Sequence, residues 1–166
     1  MRVTLYGTRG SIPTPGPETM RYGGNTPAVQ VCAENGAVLV LDAGSGIRRL
    51  GAQLSATTTR VDILLTHLHM DHIQGLGFFP PLYDPAVEVH LWGPASSTLS
   101  LEARYRAISP RLCFQYTFAI CRVCRVITSH APASILAHFV YSQRSSLTLG
   151  RRLVTELRRM VASFPI

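Results

Sequence analysis

The chain has 166 residues, of which 46% are hydrophobic, and a formal net charge of +7. This length is sufficient for one domain with a sizeable core. No apolar run is long enough to span a membrane and the first residues lack the plan of a signal peptide, so we expect a cytoplasmic protein that makes no membrane contact. Four scattered cysteines do not predict a disulfide framework.

The positive charge is unevenly distributed along the chain. Residues 1–110 contain eight arginines and eight acidic residues, whereas residues 111–166 contain eight arginines and one acidic residue, Glu156. Glycine falls from twelve residues to one across the same boundary. We therefore predict a domain of residues 1–110 and a separate basic tail of residues 111–166. A basic chain can bind nucleic acid, but here that hypothesis depends on the tail alone.

Short apolar segments between glycine- and proline-containing turns predict the elements of the first 110 residues. The predicted strands are 3–6, 28–32, 37–41, 61–65 and 87–92, and the predicted helices are 46–54, 73–79 and 96 or 97 to 107. Ser45 is a candidate N-cap for the first helix. His90 lies inside the last strand, where packing or surface exposure is a better interpretation than metal binding.

A long loop rich in glycine and proline is predicted from Gly7 to Tyr22. Loops of this length often carry function. Arg9, Arg21 and Asn25 could face an anionic substrate, although the loop could equally do no more than cover the core. Beyond the central motif, Phe78, Phe79 and Tyr83 could line a pocket, but such aromatic residues more often belong to the core.

The most informative motif follows the predicted strand 61–65 directly. His67, His69, Asp71 and His72 supply four metal-binding groups within six residues. Alternate residues of an extended segment share a face, which would place His67, His69 and Asp71 together. A turn into a helix would bring His72 back toward them. Imidazole nitrogens suit zinc and related transition metals, and a carboxylate adds an oxygen ligand.

This His-x-His-x-Asp-His pattern resembles the metal-binding signature of the metallo-β-lactamase superfamily. The segment 39–46, with Asp42 at a strand end, resembles that family's strand ending in Asp-x-Gly. Segments 7–13 and 21–26 resemble the opening of its phosphodiesterase-like, ribonuclease-Z-like branch. The resemblance covers residues 1 to about 110 and implies an α/β fold: the N-terminal part of an αβ/βα sandwich, followed here by an irregular tail.

The resemblance also implies a binuclear metal-dependent hydrolase that cleaves a small-molecule or nucleotide phosphodiester with a metal-activated water. Two divalent ions are expected, zinc by preference and manganese or iron as alternatives. His67 and His69 would hold the first ion; Asp71 and His72 would hold the second, with Asp71 as the catalytic residue that also orients the water. Asp42 would support the ligands by hydrogen bonding near their loop. The oligomeric state is left open.

The codons that could encode the tail indicate that it arose from a shifted reading frame. If the frame is taken one base earlier, segment 147–156 can encode His-Pro-Gly and segment 161–166 can encode Pro-Asp. These strings resemble the family's later histidine and its bridging aspartate. We therefore interpret residues from about 111 onward as the product of a frameshift in the gene or its sequencing. The alternatives are an inactive truncated or frameshifted fragment, a site completed by His130 or His138 of a genuine tail, and a basic nucleic-acid-binding protein.

Overall fold

The computed structural model of the protein describes residues 1–108 and, for the backbone alone, residues 124–129. Single turns of 3-10 helix lie at Pro17–Thr19, Leu76–Phe78 and Pro80–Tyr83. The strands and helices are β1 (Arg2–Gly7), β2 (Ala28–Cys32), β3 (Val38–Leu41), α1 (Ile47–Ala52), β4 (Arg60–Leu64), α2 (Met70–Ile73), β5 (Glu88–Pro94), α3 (Leu101–Ile108) and β6 (Cys124–Ser129).

The strands form one sheet in the order β1-β2-β3-β4-β5-β6. The pairs β1–β2 and β2–β3 are antiparallel, whereas β3–β4 and β4–β5 are parallel. Parallel neighbours need crossover connections, and α1 supplies the first of them. Because β3, β4 and β5 run in the same direction, their carboxyl ends meet at one edge of the sheet.

One face of this sheet carries the core. Val40, Ile63 and Leu91 lie side by side at paired positions on three neighbouring strands and are at most 2% exposed. Ile47 and Leu50 of α1 pack against that face and are completely buried. Burial of each such aliphatic side chain contributes roughly 1.5–3 kcal/mol before entropy is counted. A mixed sheet with helices against one face confirms the predicted α/β class and the N-terminal part of the sandwich.

All three predicted helices have other bounds, and the one predicted to begin at 96 or 97 begins at Leu101 and ends at Ile108. The helix predicted at 46–54 covers only Ile47–Ala52, and its N-cap is Gly46 without any side-chain hydrogen bond, so the proposed Ser45 cap is wrong. The helix predicted at 73–79 begins earlier, as α2, and ends at Ile73. It stops there because the Gly75 amide donates to the Ala43 carbonyl at 2.9 Å, outside the helix.

The predicted irregular tail is described only at β6, where six residues are regular and extend the sheet. The remaining tail residues, including His130 and His138, lie outside the described residues, and the domain boundary at residue 110 stays a prediction. In the part of the chain that the structure describes, no helix is both long enough and apolar enough to cross a membrane.

Candidate metal centre

The histidine motif lies where β3 and β4 end side by side. Leu41 pairs with Leu64 as the last residue of each strand, so Asp42 and the segment after Leu64 leave the sheet together. The Asp42 amide donates to the Leu64 carbonyl at 2.9 Å. The sheet register therefore places the Asp42 carboxylate beside the loop that carries the histidines.

The three imidazoles of the motif come together at this edge. The ring centroid of His67 lies 4.4 Å from that of His69 and 4.0 Å from that of His72. His69 is extended and serves as the N-cap residue of α2, and the single turn that follows brings His72 back toward His67. The strand-then-turn spacing in the sequence predicts this convergence. Whether these side chains bind metal stays a prediction.

Asp71 lies beside the rings and is fixed from the opposite side by the long N-terminal loop. Its Oδ2 accepts a hydrogen bond from the Ser11 amide at 3.0 Å and lies 3.3 Å from Nε2 of His72. Ser11 has a φ of 68°, in the left-handed region. Sequence reasoning missed Ser11, because a backbone amide 60 residues away in the chain leaves no local signal.

Asp42 forms hydrogen bonds to the residue that directly precedes the first histidine of the motif. It is 7% exposed, and its carboxylate accepts hydrogen bonds from the Thr66 amide at 2.8 Å and the Thr66 hydroxyl at 2.9 and 3.0 Å. The same hydroxyl lies 3.0 Å from Nδ1 of His67. Sequence reasoning also missed Thr66, although its position directly before the first histidine was an available signal.

His72 lies between the two carboxylates. Its Nδ1 is 2.9 Å from Oδ2 of Asp42, but that buried nitrogen has no partner in hydrogen-bond geometry within the described residues. Its Nε2 faces Asp71. With one nitrogen held against a carboxylate, the other is presented on the side shared with Asp71 and His67. Carboxylates that contact the far side of an imidazole in this way orient metal-binding histidines.

The electrostatics favour a neutral imidazole at His67. Burial lowers the pKa of His67 below its usual value, and the neighbouring His72 and His69 lower it further, against a smaller opposing effect of Asp42 and Asp71. Metals bind the neutral form of histidine, so this shift prepares the ring for a cation at neutral pH.

Other predicted residues have structural roles or lie elsewhere. Oδ1 of Asn25 accepts a hydrogen bond from the Ser45 hydroxyl at 3.2 Å, so this side chain fastens two loops together. His90 is 7% exposed within β5, as the packing interpretation predicts. Phe79 is completely buried in the core, whereas Phe78 and Tyr83 are 60% and 44% exposed.

The donor types fit a transition-metal site, since imidazoles and a carboxylate are gathered at one strand edge. The geometry is less complete. Within residues 1–108, no group of three or more His, Cys, Asp and Glu side chains is arranged so that it could already hold a metal ion. Ions would therefore have to draw these ligands together or gain further ones.

Among the comparisons with known proteins, the one with family models matches the region that contains the motif. A comparison with curated proteins found no match. The crystal structure of a diphosphatase from the PhnP family has 21% identity and a TM-score of 0.49, covering 78% of this chain and 50% of that one. Zn(2+)-bound PqqB from Methylobacterium extorquens has 15% identity and a TM-score of 0.45, covering 78% and 49%. The chain spans about half the length of each. The model of the metallo-β-lactamase superfamily matches residues 21–99, which include Asp42 and the whole histidine motif. Residues 21–99, slightly less than half of the chain, are therefore similar in sequence to the metallo-β-lactamase superfamily.

Proposed function

We propose that residues 1–110 are the N-terminal part of a metal-dependent phosphodiester hydrolase. The observation that carries the proposal is the convergence of three imidazoles and the Asp71 carboxylate at the ends of β3 and β4, with Asp42 behind them. The choice of a phosphodiester rests on the resemblance of segments 7–13 and 21–26 to the phosphodiesterase-like branch of the superfamily.

In this proposal His67 and His69 hold one divalent ion, and Asp71 and His72 hold a second. When bound, such ions supply an activated water and offset the charge that develops on a phosphoryl group. Asp71 orients the attacking water, and the Ser11 amide keeps its carboxylate in place. Asp42 fixes His72 from behind and, through Thr66, positions His67.

This set of ligands is not sufficient for two ions. A catalytic zinc site needs about three protein ligands and a water, whereas the motif offers four ligands to be shared. This shortfall of ligands supports the alternative that this polypeptide is an inactive fragment. We therefore propose that the protein family from which this chain derives has the hydrolase function. For the chain as written we propose only weak metal binding.

Direct metal binding tests the assignment without depending on turnover. Zinc and manganese binding to the full chain would be measured by equilibrium dialysis for the wild type, His69→Gln and His90→Gln. We expect the His69 variant to lose bound metal because it removes a motif imidazole, and the His90 variant to match the wild type. Equal metal content in the wild type and the His69 variant would overturn the assignment, as would equal losses in both variants.

A further inference from the structure

The N-terminal loop lines an open, solvent-exposed cavity that does not include the motif. The Thr14 amide bonds the Gly24 carbonyl at 3.0 Å and the Thr8 amide bonds the Asn25 carbonyl at 3.1 Å, which folds the loop back on itself. The folded loop forms an open cavity of about 380 Å³ whose lining includes Arg9, Glu18, Arg21 and Tyr22.

The lining of the cavity carries a net positive charge, from Arg9 and Arg21 against Glu18. Nε of Arg9 donates to the Ile12 carbonyl at 3.3 Å, and the guanidinium carbon of Arg21 lies 5.0 Å from the centroid of the Tyr22 ring. Within residues 1–108 neither arginine makes a salt bridge, and Glu18 is the only acidic residue of the lining. Two arginines without a salt bridge in residues 1–108 therefore line one cavity, and guanidinium groups with free donors bind phosphate oxygens.

The same loop reaches the metal centre. Gly10 lines the cavity, and the next residue, Ser11, donates its amide to Asp71. The cavity and the histidine motif are therefore connected through adjacent residues of one loop. Asn25 plays no part in the lining, because its side chain is bonded to Ser45.

We propose that this cavity is a binding site for a phosphate-type anionic group of the substrate, distinct from the phosphoryl group that is cleaved. Arg9 and Arg21 bind its oxygens, and the exposed Tyr22 ring holds the Arg21 guanidinium in position. The proposal rests on the hydrolase function for its role in catalysis, but the binding of the anion itself does not depend on the metal centre.

Metal-free binding of inorganic phosphate tests the site. The full chain, kept in excess EDTA, would be titrated with phosphate by calorimetry at fixed ionic strength. Arg9→Gln and Arg21→Gln should each weaken binding about 10-fold, since each removes a charge-assisted hydrogen bond. Arg48→Gln, on the exposed side of α1 and away from the cavity, is the matched control and should bind as the wild type does.

Glu18→Gln should change the affinity for phosphate in the opposite direction to the two arginine variants. It removes the only carboxylate of the lining and should tighten phosphate binding several-fold, a result that loss of folding cannot produce. Absence of phosphate binding in the wild type, or an equal loss in the Arg48 variant, would overturn the proposal. His69→Gln should leave metal-free phosphate binding unchanged, so failure of the hydrolase assignment and failure of this site can be told apart.

Discussion

Asp42 connects more parts of the site than any single ligand does. It adopts a φ of 59°, a conformation that costs most residues roughly 1–2 kcal/mol but that Asp and Asn tolerate. In this conformation its buried carboxylate holds both polar groups of Thr66 and faces His72. The residue therefore ties the end of β3 to both ends of the histidine motif.

Replacement of Asp42 should separate these contributions. Asp42→Ala should lower the free energy of unfolding of the metal-free protein by about 2–3 kcal/mol, because it removes charge-assisted hydrogen bonds from a buried position. Asp42→Asn should cost less, since an amide oxygen can still accept from the Thr66 amide. Urea unfolding in EDTA measures both, with Thr66→Val as the variant that loses only the hydroxyl bonds. An Asp42→Ala protein within about 0.5 kcal/mol of the wild type would show that these bonds contribute nothing.

At single positions, sequence reasoning found groups with chemistry of their own and missed those defined by tertiary contacts. His67, His69 and His72 were identifiable because three of six histidines fall within six residues after an apolar strand. Ser11 acts through its backbone amide, which every residue type except proline would carry. Ser45 stands before a helix, as a cap would, yet its hydroxyl accepts from the Thr26 amide at 3.0 Å because the loops meet there.

The turn after β3 and the turn after α2 pack backbone against backbone. The Ala43 amide donates to the His72 carbonyl at 2.8 Å, and the Gly75 amide donates to the Ala43 carbonyl at 2.9 Å. A Cβ at Gly75 would overlap the Gly44 carbonyl, and one at Gly44 would overlap the Asp71 carbonyl. Two glycines thus allow the approach that brings His72 to Asp42.

Gly75→Ala should therefore destabilise the protein by about 1–3 kcal/mol, the usual cost of excess volume in packed structure. Its φ of −77° suits any residue, so the effect is steric rather than conformational. Gly10→Ala is the control, since a Cβ there meets nothing within 4 Å. Thermal unfolding of both variants provides the measurement, and equal melting temperatures would contradict the packing argument.

The strands were predictable because a strand that is buried on one or both faces of a sheet has alternating or continuous apolar residues, and this pattern is visible in the sequence. The predicted segment 28–32 matches β2, and the other predicted strands within residues 1–108 differ at their ends by one or two residues. The helices were less predictable, since their ends depend on distant partners. α2 ends where the Gly75 amide turns to Ala43, a contact that no local pattern reveals.

Over the whole molecule, the net charge and the amino-acid composition change near residue 110, which is also about where the family resemblance ends. The match to the superfamily ends at residue 99, and the entire net charge of +7 arises after residue 110. A sheet with a metal motif at its edge is present without the later histidine and the bridging aspartate that the resemblance implies. We propose that a shift of one base near codon 110 separates this chain from those ligands, and an uninterrupted frame on resequencing would refute it.

Restoring the frame should therefore restore the site. The chain as written is expected to bind metal weakly and to hydrolyse phosphodiesters slowly or not at all, because neither ion of the pair reaches about three protein ligands. A gene corrected by one base near codon 110, with its downstream sequence included, should gain tightly bound metal and metal-dependent turnover. Both versions would be purified, analysed for bound metal and assayed on bis(p-nitrophenyl) phosphate with zinc, manganese and iron. The corrected gene carrying His69→Gln is the control for contaminating activity. Full metal loading and equal turnover in the chain as written would show instead that residues 111–166, His130 or His138 among them, already complete the site.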